Sequence, residues 1–263
     1  MKGTEKAESP SLFVSSLAKG LKVFEAFKAG HRELGIAEIA ELTGLERSAA
    51  SRLVQTLFKL GYLGQERRSR KYRLSPQVLA MAYSYLRANP IVETAMPRLV
   101  GLGDVTDSSV SLCMLTGVEI IYAVRLERHE FYHPTGLIGE QQPAYCTSGG
   151  RAILSRLPEE VAIDILERSN RVKITPSTKT ELEELLRELR TAREKSYCVQ
   201  ASEFILNEIN LAAPVLDASQ SPVAAIVVSR LYRDEEKEQI EKELAPPLLQ
   251  TAKEISGALG CRF

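Results

Sequence analysis

A short apolar stretch stopped by a glycine turn, lying between two longer ones, most constrains what this chain can fold into. From Ile36 to Leu42 the residues Ile36, Ile39, Ala40 and Leu42 recur at helical spacing with Glu38 and Glu41 outward, and Thr43-Gly44 then ends the pattern. Glycine supplies the positive φ that a tight helix end requires. Upstream, the stretch from Ser16 to Ala29 places Leu17, Leu21, Phe24 and Phe27 on one face behind a serine able to cap the first turn. Downstream, a helix is expected from about Glu46 to Leu60, burying Leu53, Val54, Leu57 and Leu60, with Arg47, Ser48, Ser51, Arg52 and Gln55 polar in its N-terminal half.

Helix, short helix, glycine turn, then a helix with a polar and basic first half is the layout of a helix-turn-helix. In that geometry the second helix of the pair enters the major groove, so its early side chains reach base edges while its later apolar face packs on the domain. Arg47 and Arg52 can offer paired donors to guanine or bind phosphate, Gln55 suits adenine, and Ser48 and Ser51 allow close approach. Past Gly61, Tyr62 to Glu66 and Lys71 to Leu74 alternate as a hairpin whose tip carries Arg67, Arg68 and Arg70. Such a wing, with Lys71, can lie along phosphate or in the minor groove; the tip taken alone could equally be a solvated charge run. Charge follows this division. Residues 1–75 hold 14 Lys and Arg against 8 Asp and Glu, a surplus of six, although the whole chain has 34 of each, so the N-terminal end is the one expected to meet a polyanion.

A cap and proline, Ser75-Pro76, open a linker helix with Val78, Leu79, Ala82, Tyr83 and Leu86 on one face up to Asn89-Pro90. Beyond a helix at about 91–103 the pattern becomes β at Ser109 to Leu115 and Val118 to Val124, around a Thr116-Gly117 turn. Helices at about 150–156, 159–168 and 179–196 follow, then strands at 197–201, 210–216 and 223–231 and a helix at 235–259. The expectation is an α+β chain: a flexible N-terminus (1–15), a winged helix-turn-helix (16–75), a linker helix (76–89), and a domain (90–263) built on an antiparallel sheet flanked by helices. With 263 residues, 44% of them hydrophobic and 26% charged, the chain can build two cores. Its N-terminus lacks the layout of a signal peptide and no apolar run reaches the roughly 18 residues of a membrane span, so a cytoplasmic location away from membranes is expected. Cys113, Cys146, Cys198 and Cys261 have no paired spacing, which argues against zinc and disulfides.

The stretches SLAKGLKVFEAF, IAEIAELTGLERSAASRLVQTLFKLGYL, KYRLSPQVLAMAYSYL, PAYCTSGGRAILSRLP and INLAAPVLDASQSPVAAIVVS together resemble the IclR family of bacterial regulators, from Ser16 to Ala258. LSPQVLAMAYSYL and PAYCTSGGRAIL look most like the branch that controls β-ketoadipate and hydroxybenzoate catabolism. The resemblance implies a GAF/PAS-like effector domain, a homodimer or homotetramer on palindromic double-stranded DNA, and a small organic acid, in this branch aromatic, as effector, with no cofactor. Carried over by motif, the effector pocket takes Ser148, Gly149 and Gly150, Gln200, Glu208 and Asn210, and Val227 and Ser229. The sequence departs from the family at Asn207-Glu208, where a Gly-Leu pair is usual.

Ser148-Gly149-Gly150 ahead of a helix can also be read physically as an anion cradle, since backbone N–H groups and the helix dipole converge there; an ordinary capped turn is the other reading. Phe131, Tyr132 and Leu137 would wall the pocket or the core. His129-Glu130-Phe131-Tyr132-His133 matches HExxH, the signature of zinc hydrolases. Its flanks argue against that reading: a strand precedes it and Pro134-Thr135-Gly136 follows, leaving no helix to present both histidines. No metal and no enzyme are expected. The rival readings are a metallohydrolase built on HEFYH, and a DNA-binding protein whose larger domain only oligomerises.

Overall fold

The computed structural model describes residues 12–28, 30–128 and 137–262. The chain divides into two compact units between Tyr85 and Leu86. HEFYH, with Phe131 and Tyr132, lies outside the described residues.

The first unit holds α1 (Ser15–Glu25), α2 (Ile36–Thr43), α3 (Arg47–Lys59) and a two-stranded hairpin, β1 (Leu63–Gln65) and β2 (Tyr72–Leu74). Gly44 closes α2 at φ +66°, donating its N–H to the Ala40 and Glu41 carbonyls, and the chain turns directly into α3. The hairpin is antiparallel, Leu63 facing Leu74 and Gln65 facing Tyr72, and Leu34 bridges to Tyr72. Val23, Ala26, Phe27, Leu34, Ile39, Val54, Leu63 and Tyr72 form its core. Two apolar positions expected inside are outside: Leu17 and Leu21 of α1 are 63% and 55% exposed, because the buried face of α1 runs through Val23 instead. Leu60 is also exposed.

The linker is α4 (Gln77–Ala88), a helix with no buried residue. α5 (Pro90–Thr106) is capped by Asn89, whose side-chain oxygen accepts from the Ile91 N–H. Then comes one antiparallel sheet of β3 (Ser109–Thr116), β4 (Glu119–Leu126), β5 (Gln141–Pro143), β6 (Cys198–Ala201), β7 (Glu208–Leu216) and β8 (Pro222–Leu231), in the order β5-β4-β3-β8-β7-β6. β5 is not anticipated by the sequence pattern. α6 (Ser148–Leu154), α7 (Glu159–Arg168) and α8 (Leu182–Lys195) precede β6, and α9 (Lys237–Ala258) ends the fold.

Strand alternation sorts the sheet into two cores. Ile209, Leu211, Ala213 and Val215 of β7 with Ala224, Ile226 and Val228 of β8 pack against α5 and α9. The intervening Ala212, Ala225 and Val227 pack against α6, α7 and α8. β4 breaks the alternation. Cys113 pairs with Tyr122 but Leu112 pairs with Val124, so Ala123 is an extra residue, a β-bulge. Tyr122 belongs to the α6 face, and Ala123 and Val124 to the opposite core. The bulge thereby returns Arg125, paired with Ser111, to the face that Tyr122 occupies.

Candidate DNA interface and ligand pocket

On α3 the residues Arg47, Ser48, Ser51, Arg52 and Gln55 recur at spacings of one, three and four, which is one continuous stripe. Ala50 and Val54 on the other side are buried. Arg47, Ser48, Arg52 and Gln55 are exposed and Ser51 is half-buried. Glu46 caps the helix by accepting the Ser48 N–H, and the Ser48 hydroxyl also turns to that carboxylate, each at 3.5 Å. Gln55 donates its amide to the Tyr72 hydroxyl at 2.7 Å, which ties the stripe to the hairpin. In the wing, Arg67, Arg68 and Arg70 are exposed at the tip, Arg70 with φ +58°. Lys71 is engaged differently, pairing with Glu38 at 3.0 Å. The Gly35 N–H and Lys71 together hold the Glu38 carboxyl below its ordinary pKa.

In the second unit a cavity opens at the end of the sheet face that α6 covers. Three strands contribute one polar row, because Gln200, Asn210 and Ser229 stand opposite one another in register. The Ser229 hydroxyl donates to Asn210 Oδ1, and Asn210 Nδ2 donates to Glu208 at 2.7 Å. Gln200, with its amide oxygen turned to accept the Glu203 and Phe204 N–H groups at 2.6 and 3.0 Å, ties this row to the segment between β6 and β7. From β4 the cavity takes Tyr122 and Arg125, and from the start of α6, Thr147 and Ser148. Phe204 and Ile205, between β6 and β7, close it. Arg125 lies 4.4 Å from the Tyr122 ring centre and reaches Glu127 at 3.3 Å, and its side chain is 16% exposed. It is the only cation among the described lining residues. The space now enclosed is about 20 Å³, room for one water.

Ser148, Gln200, Glu208, Asn210 and Ser229 are thus gathered around one cavity, but four other expected site residues are not. Gly149, Gly150 and Val227 are buried packing positions. A Cβ on Gly149 would lie 2.5 Å from Cys113 Sγ and 3.0 Å from Val227, and one on Gly150 would lie 2.3 Å from the Ala144 carbonyl oxygen. The two glycines therefore let α6 sit against the sheet and the preceding turn, which accounts for them without a ligand. Leu137 is 60% exposed and off the cavity. Arg125 and Tyr122 escape a reading of the sequence because regular alternation puts residues three apart on opposite faces; only the bulge unites them.

The two family profiles that the chain matches are the IclR helix-turn-helix domain, over residues 16–67, and the bacterial transcriptional regulator IclR C-terminal domain, over residues 83–257. The chain belongs to the IclR family of transcriptional regulators. Among IclR relatives it is 32% identical to the Pca regulon regulatory protein of Pseudomonas putida, covering 92% of this chain and 83% of that one. It is 31% identical to the p-hydroxybenzoate hydroxylase transcriptional activator of Acinetobacter baylyi, covering 92% and 91%. An IclR-family regulator from Brucella abortus has the same fold, with a TM-score of 0.82 at 28% identity over 97% of this chain and 96% of that one. An IclR homologue from Microbacterium hydrocarbonoxydans, solved with 4-hydroxybenzoate, shares the fold at 21% identity and a TM-score of 0.75, over 93% and 98%.

As an IclR-family chain this is a transcriptional regulator with a helix-turn-helix, and its relatives are regulators rather than enzymes. Among the described residues no cluster of three His, Cys, Asp or Glu could hold a metal, and no helix is long and apolar enough to cross a membrane. Cys146 is buried, and that burial pushes its thiol up to about 12, so it is not a thiolate at neutral pH.

Proposed function

We propose that the chain is a cytoplasmic regulator that binds a palindromic operator as a homodimer or homotetramer and responds to a small aromatic carboxylate held at Arg125. The carrying observation is that one cavity is lined by a single cation among the described residues, Arg125, by a row of amide and hydroxyl groups, and by the apolar side chains of Phe204 and Ile205. A carboxylate needs the cation, a ring needs the apolar roof, and a ring hydroxyl can bond to Asn210, Ser229 or Glu208. Relatives named for the Pca regulon and for p-hydroxybenzoate hydroxylase support this class of ligand. A ring does not fit in about 20 Å³, so the lining has to open on binding, and the half-buried Phe204-Ile205 segment is the part we take to move. That displacement gives the ligand a conformation to select. The carboxylate is placed at Arg125 rather than at the α6 turn, where the glycines are occupied by packing.

Self-association is supported by α1 and α4. A twelve-residue helix without one buried residue, carrying Leu79 at 71% and Tyr83 at 63% exposure, is not stable without a surface to cover it. A second copy of this chain presents the matching apolar faces.

Replacing Arg125 with Gln removes a charge-assisted contact of about 1.5–3 kcal/mol and should weaken 4-hydroxybenzoate roughly 10- to 150-fold by calorimetry. Unchanged affinity would displace the carboxylate from this site. For DNA, Arg52→Ala should abolish the footprint on the operator while leaving the thermal transition in place. Replacing Arg67, Arg68 and Arg70 with alanine should weaken all DNA alike and flatten the salt slope by about 2–3 units. Loss of discrimination at constant slope would instead make the wing a base reader.

A further inference from the structure

Arg125 already has a counter-ion. Its Nε and Nη2 both point at one oxygen of Glu127, at 3.3 and 3.4 Å. The other Glu127 oxygen accepts the Ser109 hydroxyl at 3.1 Å, and that hydroxyl itself accepts the Arg128 N–H at 3.2 Å. Glu127 is therefore a placed carboxylate with both oxygens engaged, although it is not among the residues that line the cavity.

Strand register brings it there. Beyond the bulge, Arg125 and Glu127 are two residues apart and touch as neighbours on one face of the sheet. Ser109 stands opposite Ser229, Ser229 opposite Asn210, and Asn210 opposite Gln200. The polar row of the pocket thus runs one strand further, to Ser109, and ends at Glu127.

The geometry makes Glu127 a competitor for Arg125 more than a support. The guanidinium is seated on the Tyr122 ring, 4.4 Å from its centre, and does not depend on Glu127 for its place. The two Glu127 contacts are long beside the about 2.7–2.9 Å of a strong charge-assisted bond, and the Glu127 side chain is 43% exposed. Such a contact constrains geometry weakly, while its charge still acts at close range. Arg125 Nη1 has no hydrogen-bond partner among the described residues, so an effector carboxylate can take Nη1 and the second hydrogen of Nη2. It then shares one guanidinium with Glu127, and two like charges within roughly 6 Å disfavour each other.

We propose that Glu127 sets how strongly the Arg125 pocket prefers a carboxylate over a neutral group. As the resident counter-ion of Arg125 it competes with the effector's carboxylate and holds the affinity for anions down, acting through Arg125 and on no other part of the ligand. This assignment rests on the placement of the effector carboxylate at Arg125.

Two probes of one shape and different charge test it, 4-hydroxybenzoate and 4-hydroxybenzamide, titrated calorimetrically into the full chain. Glu127→Gln keeps the side chain's size and removes its charge. It should tighten 4-hydroxybenzoate roughly three- to fivefold and bind 4-hydroxybenzamide no better than the wild type does. Asp104→Asn removes a negative charge that meets Arg128 instead of Arg125, and should leave both isotherms as they are. Unchanged or weaker 4-hydroxybenzoate binding in Glu127→Gln overturns the proposal, the weaker result making Glu127 a support for Arg125. Equal tightening of the two probes, or equal tightening by Asp104→Asn, overturns it as well. Arg125→Gln, titrated alongside, separates the two assignments. If it weakens 4-hydroxybenzoate while Glu127→Gln does not tighten it, the carboxylate belongs at Arg125 and only the role of Glu127 fails; if it changes nothing, both fail. An unaltered thermal transition verifies that the variants are folded.

Discussion

Arg151→Met should cost about 3–5 kcal/mol of stability, and Glu203→Leu a similar amount, while the double variant should recover most of the loss. The reason lies in how completely the pair is buried and used. Arg151, on α6, has no exposed surface, and its Nε donates to the Tyr145 carbonyl at 2.7 Å. Its two terminal nitrogens meet the two Glu203 oxygens at 2.7 and 2.5 Å. Glu203 also accepts the Lys179 N–H at 3.0 Å. Burial opposes the charge on Arg151, but the Glu203 hydrogen bonds and charge outweigh it and hold the guanidinium above its ordinary pKa. Removing one partner strands the other charge in a low-dielectric interior; removing both leaves two apolar side chains in its place. In a domain of this size the single variants should melt roughly 10 °C lower. Single and double variants that lose stability additively in urea would refute the pairing argument.

The same pair bears on ligand binding. Glu203 precedes Phe204 and Ile205, and its backbone is pinned again by Thr178, whose hydroxyl donates to the Glu203 carbonyl at 2.6 Å, while Thr175 holds Ser202 likewise. One end of the pocket roof is thus anchored in the α6 core while the roof itself is half-buried. The other end is held too, Asn207 donating its N–H to Ser202 Oγ at 3.0 Å and accepting the Tyr232 N–H at 2.9 Å, so only the short half-buried stretch between the two anchors moves without unfolding the domain. The double variant, restored in stability, should therefore still bind 4-hydroxybenzoate with altered affinity.

Much of this fold is legible in the sequence because it follows from local periodicity. The Thr43-Gly44 stop, the polar stripe on α3, the turn at Thr116-Gly117 and the strand at 223–231 each depend on residues close in sequence, and each stands where the pattern puts it. What stays hidden depends on nonlocal events. The bulge at Ala123 leaves no mark in EIIYAVRL, since Tyr, Ala and Val all suit a strand, yet it decides that Arg125 faces the pocket. Leu17 and Leu21 read as core because helical spacing reveals an apolar face but not what covers it. HEFYH, judged in the sequence by its flanks alone, lies outside the described residues.

Ser148-Gly149-Gly150 shows the same limit from the other side, and it carries the second large effect. A glycine pair before a helix has two physical uses, approach by an anion and approach by the protein's own backbone, and the sequence does not separate them. At Gly150 the second is decisive. An added Cβ would sit 2.3, 2.4 and 2.7 Å from the oxygen, Cα and carbonyl carbon of Ala144, and a backbone cannot rotate aside as a side-chain tip can. Gly150→Ala should therefore destabilise by about 3 kcal/mol or more, at the upper end for an overpacked core, because the turn or α6 has to shift. Gly101 supplies the control. It lies inside α5, and a methyl added there would meet nothing within 4 Å, so Gly101→Ala should stabilise by about 0.5–1 kcal/mol through helix propensity alone. Urea unfolding of the two variants separates the explanations. If Gly150→Ala unfolds with the wild-type midpoint but no longer binds 4-hydroxybenzoate, the glycine serves the ligand; if it loses stability while Gly101→Ala gains it, the glycine serves the packing of α6.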